Sequence, residues 1–476
     1  MMFAANVIVL LALAFFMVEI NQHFNGIAYI KDHPYNIIFV ASAVLFLSIL
    51  TYGYLFFECK ELLINIAKLT ELFILLDLSV MASFLLGHYL SPEARPFAFF
   101  AIMCATLLGR RIAIFSNIIN SLLIFVIDLN INVDLATVSG NTMEIWQYCA
   151  GLLITFCSGM LIIFFSHKVK NRLHSVLLAF LVLIPIELII FVMEILFALF
   201  GNVVAGDAYL LAFGALGALF SIVLYLLLLP LFELVFREIT VFRLREITSP
   251  NSKLIKKLKD EAPGTYNHSV VVAQLTEACA IAIGEDGELA RAAAYYHDMG
   301  KLKNPDMFTE NQSDYNAHSE LTPELSVEII RSHATYGQKL IKKYHLPEFL
   351  ADIAVQHHGT MPIKYFYAKA LKMTDGDINM ENYSYVGPAP QTRIAAIVMI
   401  ADASEAASRS LSNRTPAKIQ ALVGSIIEER LNLDQFRDCP ITMRDLTIIT
   451  HTITQALTGL YHSRISYPKI KISKKS

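Results

Sequence analysis

The stretch 295–312, "YYHDMGKLKNPDMFTENQ", sets a histidine and an aspartate side by side, His297 and Asp298, at the close of the small-residue helix "ELARAAAYYHD". Ala292, Ala293 and Ala294 let other helices approach closely, so an imidazole and a carboxylate end a packed element. An uncompensated polar group in such a place is costly. The pair therefore asks for a partner.

The same kind of interruption recurs downstream. Apolar residues at spacings of three and four run through "SVVVAQLTEACAIAI", "LSVEIIRSHATYGQKLIKKY", "LADIAVQHH", "RIAAIVMIADASEAASRSL" and "TPAKIQALVGSIIEERL", and no run alternates as strands do. The region from about 262 to 465 is expected to be all-α, with "GEDGE" at 284–288 as a helix break and 372–391 as a long polar loop. His268, His297, His333, His357, His358, Asp298 and Asp402 each end or interrupt one of those patterns. One such histidine is ordinarily a hydrogen-bonded core residue. Seven polar groups on separate helices instead suggest a shared cation. Imidazoles with carboxylates and no thiolate suit iron, manganese or similar ions better than a closed structural zinc site. Asp298 can offer one oxygen to each of two ions, a pair able to clamp a phosphate for in-line displacement.

The half preceding this region has a different solvent. The chain has 476 residues, 55% hydrophobic and 17% charged, too apolar for one soluble domain. Apolar runs near 3–18, 36–57, 69–88, 97–109, 112–131, 145–166, 174–200 and 208–236 are mostly long enough to cross a hydrocarbon core of roughly 30 Å. Seven or eight spans are expected. The weakest, "FAFFAIMCATLLG", has the length of a half-helix. The first has no basic n-region or clear cleavage site and reads as an anchor.

Basic residues test the count. Lys60 and Lys68, Arg110 and Arg111, Lys168, Lys170 and Arg172, and everything from Arg237 onward occupy alternate loops of an eight-span chain, while the other loops hold only Lys31 and Arg95. The positive-inside rule puts the basic loops and the whole second half in the cytoplasm. Glu71, Asp77, Asp128, Glu187 and Glu194 lie within spans, where they either line a path or bond neighbouring helices. Gly214 and Ala218 form a small-residue helix contact. The division expected is 1–236 for the membrane bundle, 237–261 for a basic juxtamembrane helix, either near anionic headgroups or a solvated connection, 262–465 for the soluble domain and 466–476 for a basic tail. The six cysteines have no CxxC spacing and read as inert thiols.

The HD pair with separated upstream and downstream histidines and a late aspartate resembles the HD-domain metal-dependent phosphohydrolases. More narrowly, "APGTYNHS", "YYHDMGKLKNPDMFTENQ", "QHHGTMPIKYFYAKA", "PAPQTRIAAIVMIADASEAASRSL" and "YHSRISYP" are similar to the seven-transmembrane HD proteins of the PgpH type, cyclic di-AMP phosphodiesterases. The resemblance implies a first metal held by His268, His297, Asp298 and Asp402, and a second that shares Asp298 and adds His333, His357 and His358. The implied reaction is hydrolysis of cyclic di-AMP to linear pApA by two divalent transition metal ions, iron or manganese, at the bacterial cytoplasmic (inner) membrane. Lys301, one turn after Asp298, would meet the substrate phosphate as a point charge. Tyr365, Phe366 and Tyr367 are candidates for stacking on adenine, with one of them at most in contact. Expected partners are cyclic di-AMP and the lipid bilayer, not DNA or RNA, with a homodimer left open. His318, His345, His451 and His462 have no motif role.

Two departures stand out. Relatives carry a large extracytoplasmic domain between the first two spans, where this chain has "EINQHFNGIAYIKDHPY"; either that sensor was lost or the recorded start is incomplete. Asn267 precedes His268 where relatives often have another polar residue. Three alternatives stay open: a cyclic di-GMP phosphodiesterase, an HD nucleotidase, and a nucleotide-binding membrane receptor without catalysis. The "HHExxDGxGYP" signature of the cyclic di-GMP enzymes is absent, since "HHG" continues as "TMPIKYFY".

Overall fold

A computed structural model describes residues 1–23, 26–132, 142–166, 172–199, 208–312, 315–373 and 378–460. Lys168, Lys170, His462, "YHSRISYP" and the 466–476 tail fall outside them. The chain forms two compact units, Met1–Phe242 and Arg243–Ser476. Helices dominate both; among the described residues the only strand-like pairing is an isolated bridge between Pro362 and Ser384.

In the first unit, seven helices among the described residues are long and apolar enough to cross a membrane. The run at 97–109 is not one of them. Its helix, Phe99–Leu107, has nine residues, about 14 Å of rise and less than half of a bilayer core. The chain nevertheless traverses the bundle there. Glu58, ending the Pro34–Glu58 helix, pairs with Arg111 at the start of the Arg110–Asn132 helix, and the Tyr54 hydroxyl donates to the Arg111 carbonyl at 3.2 Å. Both helices therefore meet at one face of the bundle. The Ile66–Tyr89 helix leaves from that face and, at 24 residues, ends about 36 Å away, so residues 90–109 must return.

The return is a broken helix. Ala94, Arg95, Phe97 and Ala98 are buried, which is where non-helical backbone is tolerated at membrane depth. Gly217 makes room, since a Cβ there would lie 2.7 Å from the carbonyl oxygens of Glu93 and Arg95. Arg95 itself is neutralised by Asp128. Among the described residues, seven long helices and one half-helix thus traverse the bundle. Of the other intramembrane acids, Asp77 accepts from Asn6 Nδ2 at 3.2 Å, Glu71 is fully buried, and Glu187 lies against Gly214.

The second unit is built around the Arg393–Arg409 helix, buried continuously from Ile394 to Asp402. The Pro263–Ala282, Gly287–Tyr296, Glu348–Gln356, Pro416–Asn432 and Met443–Leu460 helices pack on it. Three starts follow one local rule. Thr322, Thr392 and Thr415 accept from the backbone N–H three residues on, and Pro323 and Pro416 occupy first-turn positions whose N–H would have no helical partner. At "GEDGE", Gly284 takes φ +81° and Asp286 caps the next helix through Leu289 N–H.

The juxtamembrane segment packs on the second unit. Arg243–Glu261 belongs to the second unit rather than forming a separate linker. Leu254, Ile255 and Leu258 share a buried face, Tyr296 donates to the Ile247 carbonyl at 2.8 Å, and Arg245 pairs with Glu288 at 2.5 Å. The lysines that suggested a headgroup contact occupy the other side of the same amphipathic turn.

Candidate metal centre

The expected ligands converge from five helices. His268 lies in Pro263–Ala282, His333 in Pro323–Lys343 and Asp402 in Arg393–Arg409; His297 and His357 cap the helices before them, with Asp298 and His358 next in chain. Ala290, Ala292, Ala293 and Ala294 are fully buried, and these small side chains bring the helix ending at His297 close to its neighbours. Gly300 does the same for Pro323–Lys343: a Cβ on it would lie 1.8 Å from the His333 carbonyl oxygen.

Backbone carbonyls set the tautomers. Nδ1 of His297 lies 2.6 Å from Ala294 O, Nδ1 of His333 2.5 Å from Ile330 O, and Nδ1 of His357 2.9 Å from Ala354 O. A carbonyl only accepts, so each Nδ1 carries a proton and each Nε2 is the ring nitrogen turned inward. His268 is held differently, with Nδ1 2.6 Å from Glu405 Oε2.

These side chains form two groups, Asp298 with His333, His357 and His358, and His268 with His297 and Asp402; in each, one ligand atom per residue lies within 4.8 Å of the rest. Atoms bound to a common ion at about 2.0–2.2 Å lie at most about 4.4 Å apart, so a small inward movement closes each group on an ion. Asp298 faces both. Its Oδ2 is 3.2 Å from His297 Nε2 and 3.7 Å from His268 Nε2, while its Oδ1 is 3.3 Å from His333 Nε2 and 3.6 Å from His357 Nε2. His297 Nε2 and Asp298 Oδ1 are buried and make no hydrogen bond. Orphaned donor atoms of this kind fit a cation.

The electrostatics agree. Burial alone would raise the carboxyl of Asp298, but His297 and Lys301 outweigh it and hold the group well below the usual carboxylate range. Asp402 is held down in the same way by His268 and His297. Burial pushes His333 down to about 4 and, with the neighbouring His357, takes His358 well below its usual value. For His297 burial is overcome by Asp298 and Asp402, and its pKa is pushed up to about 10. Ionised carboxylates and neutral imidazoles are the forms that bind metal; His297 would have to give up a proton.

A cavity of about 540 Å³ opens on the cluster, a volume suited to a small-molecule ligand. Lys301 lines it, with Nζ 2.6 Å from Asp298 Oδ2 and 2.7 Å from Glu310 Oε1, so two carboxylates hold its ammonium. The expected aromatics lie elsewhere. Tyr365 is 69% exposed and meets Phe366 edge-on, while Tyr367 packs against Tyr383. The rings on the cavity wall are Phe308, edge-on to His333, and Tyr385, stacked on His358 with centroids 4.2 Å apart. Tyr385 is delivered by the polar loop. Its N–H donates to Met361 O at 3.0 Å, and Gly387 lets the loop approach Val355 O, 2.2 Å from where a Cβ would be. A local pattern could not reveal that long-range pairing.

Residues 265–407 match the HD domain family. The chain is 45% identical over 261 residues to the cyclic-di-AMP phosphodiesterase PgpH of Bacillus subtilis, covering 55% of this chain and 37% of that protein. It is 45% identical over 262 residues to the PgpH of Listeria monocytogenes, covering 55% and 36%. A crystal structure of the L. monocytogenes PgpH HD domain in complex with cyclic di-AMP shares 47% identity, with 45% of this chain and 99% of that one covered and a TM-score of 0.43. The chain thus spans little more than a third of the length of these curated relatives. Seven helices long and apolar enough to cross a membrane thus precede a region that matches the HD domain, a metal-dependent class. Over its second half the chain is similar to the PgpH phosphodiesterases.

Proposed function

We propose that the chain is a membrane-bound phosphodiesterase that hydrolyses cyclic di-AMP to linear pApA with two divalent transition metal ions, iron or manganese. The observation that carries the reading is Asp298, whose two oxygens face two separate sets of imidazoles. Bound there, the ions would supply Lewis acidity toward the phosphoryl oxygens and a nucleophile at neutral pH. His268, His297 and Asp402 would hold one ion and His333, His357 and His358 the other, with Asp298 between them. The carbonyl-bonded Nδ1 atoms keep three of those rings from turning. Lys301, steadied by Glu310, directs positive charge into the cavity where phosphate would lie. All seven ligands come from one chain, so the chemistry requires no second copy.

The HD domain is assigned to the cytoplasm and the bundle to the bacterial inner membrane, because Lys60, Lys68, Arg110 and Arg111 lie at the end of the bundle where Glu58 pairs with Arg111, and Lys68 and Arg172 pair with Glu238 and Glu233 at the close of the last long helix. Activity would respond to the membrane half through the chain that joins them. The test incubates the detergent-solubilised full chain, loaded with manganese(II) or iron(II), with cyclic di-AMP, cyclic di-GMP and ATP, and separates the products by chromatography. pApA from cyclic di-AMP, with little turnover of the others, is the expected outcome. Preferred turnover of cyclic di-GMP or ATP would favour the other HD chemistries and reject this one.

A further inference from the structure

The cavity beside the cluster contains two guanidinium groups that the reaction as described leaves unused. Arg409 lies one turn beyond Glu405, and its Nε and Nη2 both donate to Glu405 Oε1, at 2.8 and 2.7 Å. The second oxygen of that carboxylate holds His268 Nδ1 at 2.6 Å. One carboxylate thus fixes Arg409 relative to the metal cluster. Arg430 reaches the same cavity from the Pro416–Asn432 helix. It is 9% exposed; Nη1 donates to Ile426 O at 3.2 Å and to Glu429 Oε2 at 3.0 Å, while its buried Nε has no hydrogen-bond partner. A buried charged donor left unsatisfied is costly unless a ligand accepts from it.

We propose that Arg409 and Arg430 form a second phosphate subsite, for the phosphodiester of the dinucleotide that is not being cleaved. The inference rests on the function proposed above and deepens it. A cyclic dinucleotide carries two phosphodiesters on one ring, so fixing one at the cluster brings the other to a second place in the same cavity. Guanidinium forks suit that anion, because they offer parallel N–H donors to phosphate oxygens. A mononucleotide or simple diester would leave the subsite empty. The two arginines therefore make the cavity select a dinucleotide.

The test compares the full chain in detergent with manganese(II) against Arg430→Gln, Arg430→Lys and Arg409→Gln. kcat and KM are measured for cyclic di-AMP and for bis(p-nitrophenyl) phosphate, which has one diester. Binding of radiolabelled cyclic di-AMP to EDTA-treated protein is followed by equilibrium dialysis. Loss of a hydrogen bond to a charged group predicts a rise in KM for cyclic di-AMP of about tenfold or more with a smaller change in kcat. The ratio of kcat/KM for cyclic di-AMP to that for the simple diester should fall with it, Lys should recover part of the loss, and the dialysis affinity should weaken in parallel. An unchanged ratio in the glutamine variants would overturn the subsite and leave the proposed function standing. A wild-type protein that cleaves the simple diester but neither binds nor cleaves cyclic di-AMP would overturn both. Should Arg430→Gln fail to fold, Arg409→Gln and Arg430→Lys decide the matter.

Discussion

Gly300→Ala is a test of how the two ligand groups are held in register. A Cβ on residue 300 would lie 1.8 Å from the carbonyl oxygen of His333, 2.6 Å from its carbonyl carbon and 2.7 Å from Gly337 N. All three are backbone atoms, so no rotamer change relieves the overlap. Ordinary contact at 3.4 Å requires the Pro323–Lys343 helix to retreat by about 1.6 Å. His333 rides on that helix, with Nε2 3.3 Å from Asp298 Oδ1. Ligand distances hold only within about 0.2 Å, so such a retreat withdraws His333 from the second ion. Overpacking costs about 1–3 kcal/mol of stability, and a displacement of about 1 Å costs on the order of a hundredfold in rate. Thermal unfolding, elemental analysis and cyclic di-AMP turnover on one preparation are the assay. The expected result is a folded but less stable protein that keeps the ion at His268, His297 and Asp402, loses the other, and turns over about a hundredfold more slowly. Two ions per chain with kcat within about threefold of wild type would refute the reasoning.

Two further predictions concern separate parts of the chain. His297 is pushed up to about 10 without metal and must be neutral to bind it, so metal uptake at neutral pH should release a proton and affinity should rise with pH up to that value. Titration calorimetry in buffers of different ionisation heat reads the release; affinity independent of pH between about 6 and 8 would contradict it. In the membrane half, single cysteines at Ser91 and Arg110 in a cysteine-free background should label from opposite faces of the membrane. Labelling of both from one face would remove the broken-helix crossing.

The convergence of these seven side chains was legible because each member breaks a local pattern. "AVQHHG" and "MIADASEA" put His357, His358 and Asp402 where an apolar face should continue, and the Ala-rich helix before His297 announces close packing. The return of the chain at 90–109 was expected only from charge: length gives seven spans, while the positions of Arg110 and Arg111 suggest an eighth pass. What stayed hidden depends on contacts distant in sequence. Tyr385 lies in a polar loop whose return to Met361 has no local signature, and Tyr365 and Tyr367 drew attention only by adjacency to the "HHG" turn. Glu405, Arg409 and Arg430 sit at ordinary helical spacing and read as solvated charges until packing turns them toward the cavity. In 253–259 the lysines drew the reading, while the three apolar residues between them decide which side of the helix is buried.

Counting metal ions per chain in wild type and Asp298→Ala, with cyclic di-AMP turnover on the same samples, tests the central claim most directly. If Asp298 joins two ions, wild type carries two and forms pApA, while the variant carries at most one and forms none. A variant that retains two ions and turns over cyclic di-AMP would contradict the account.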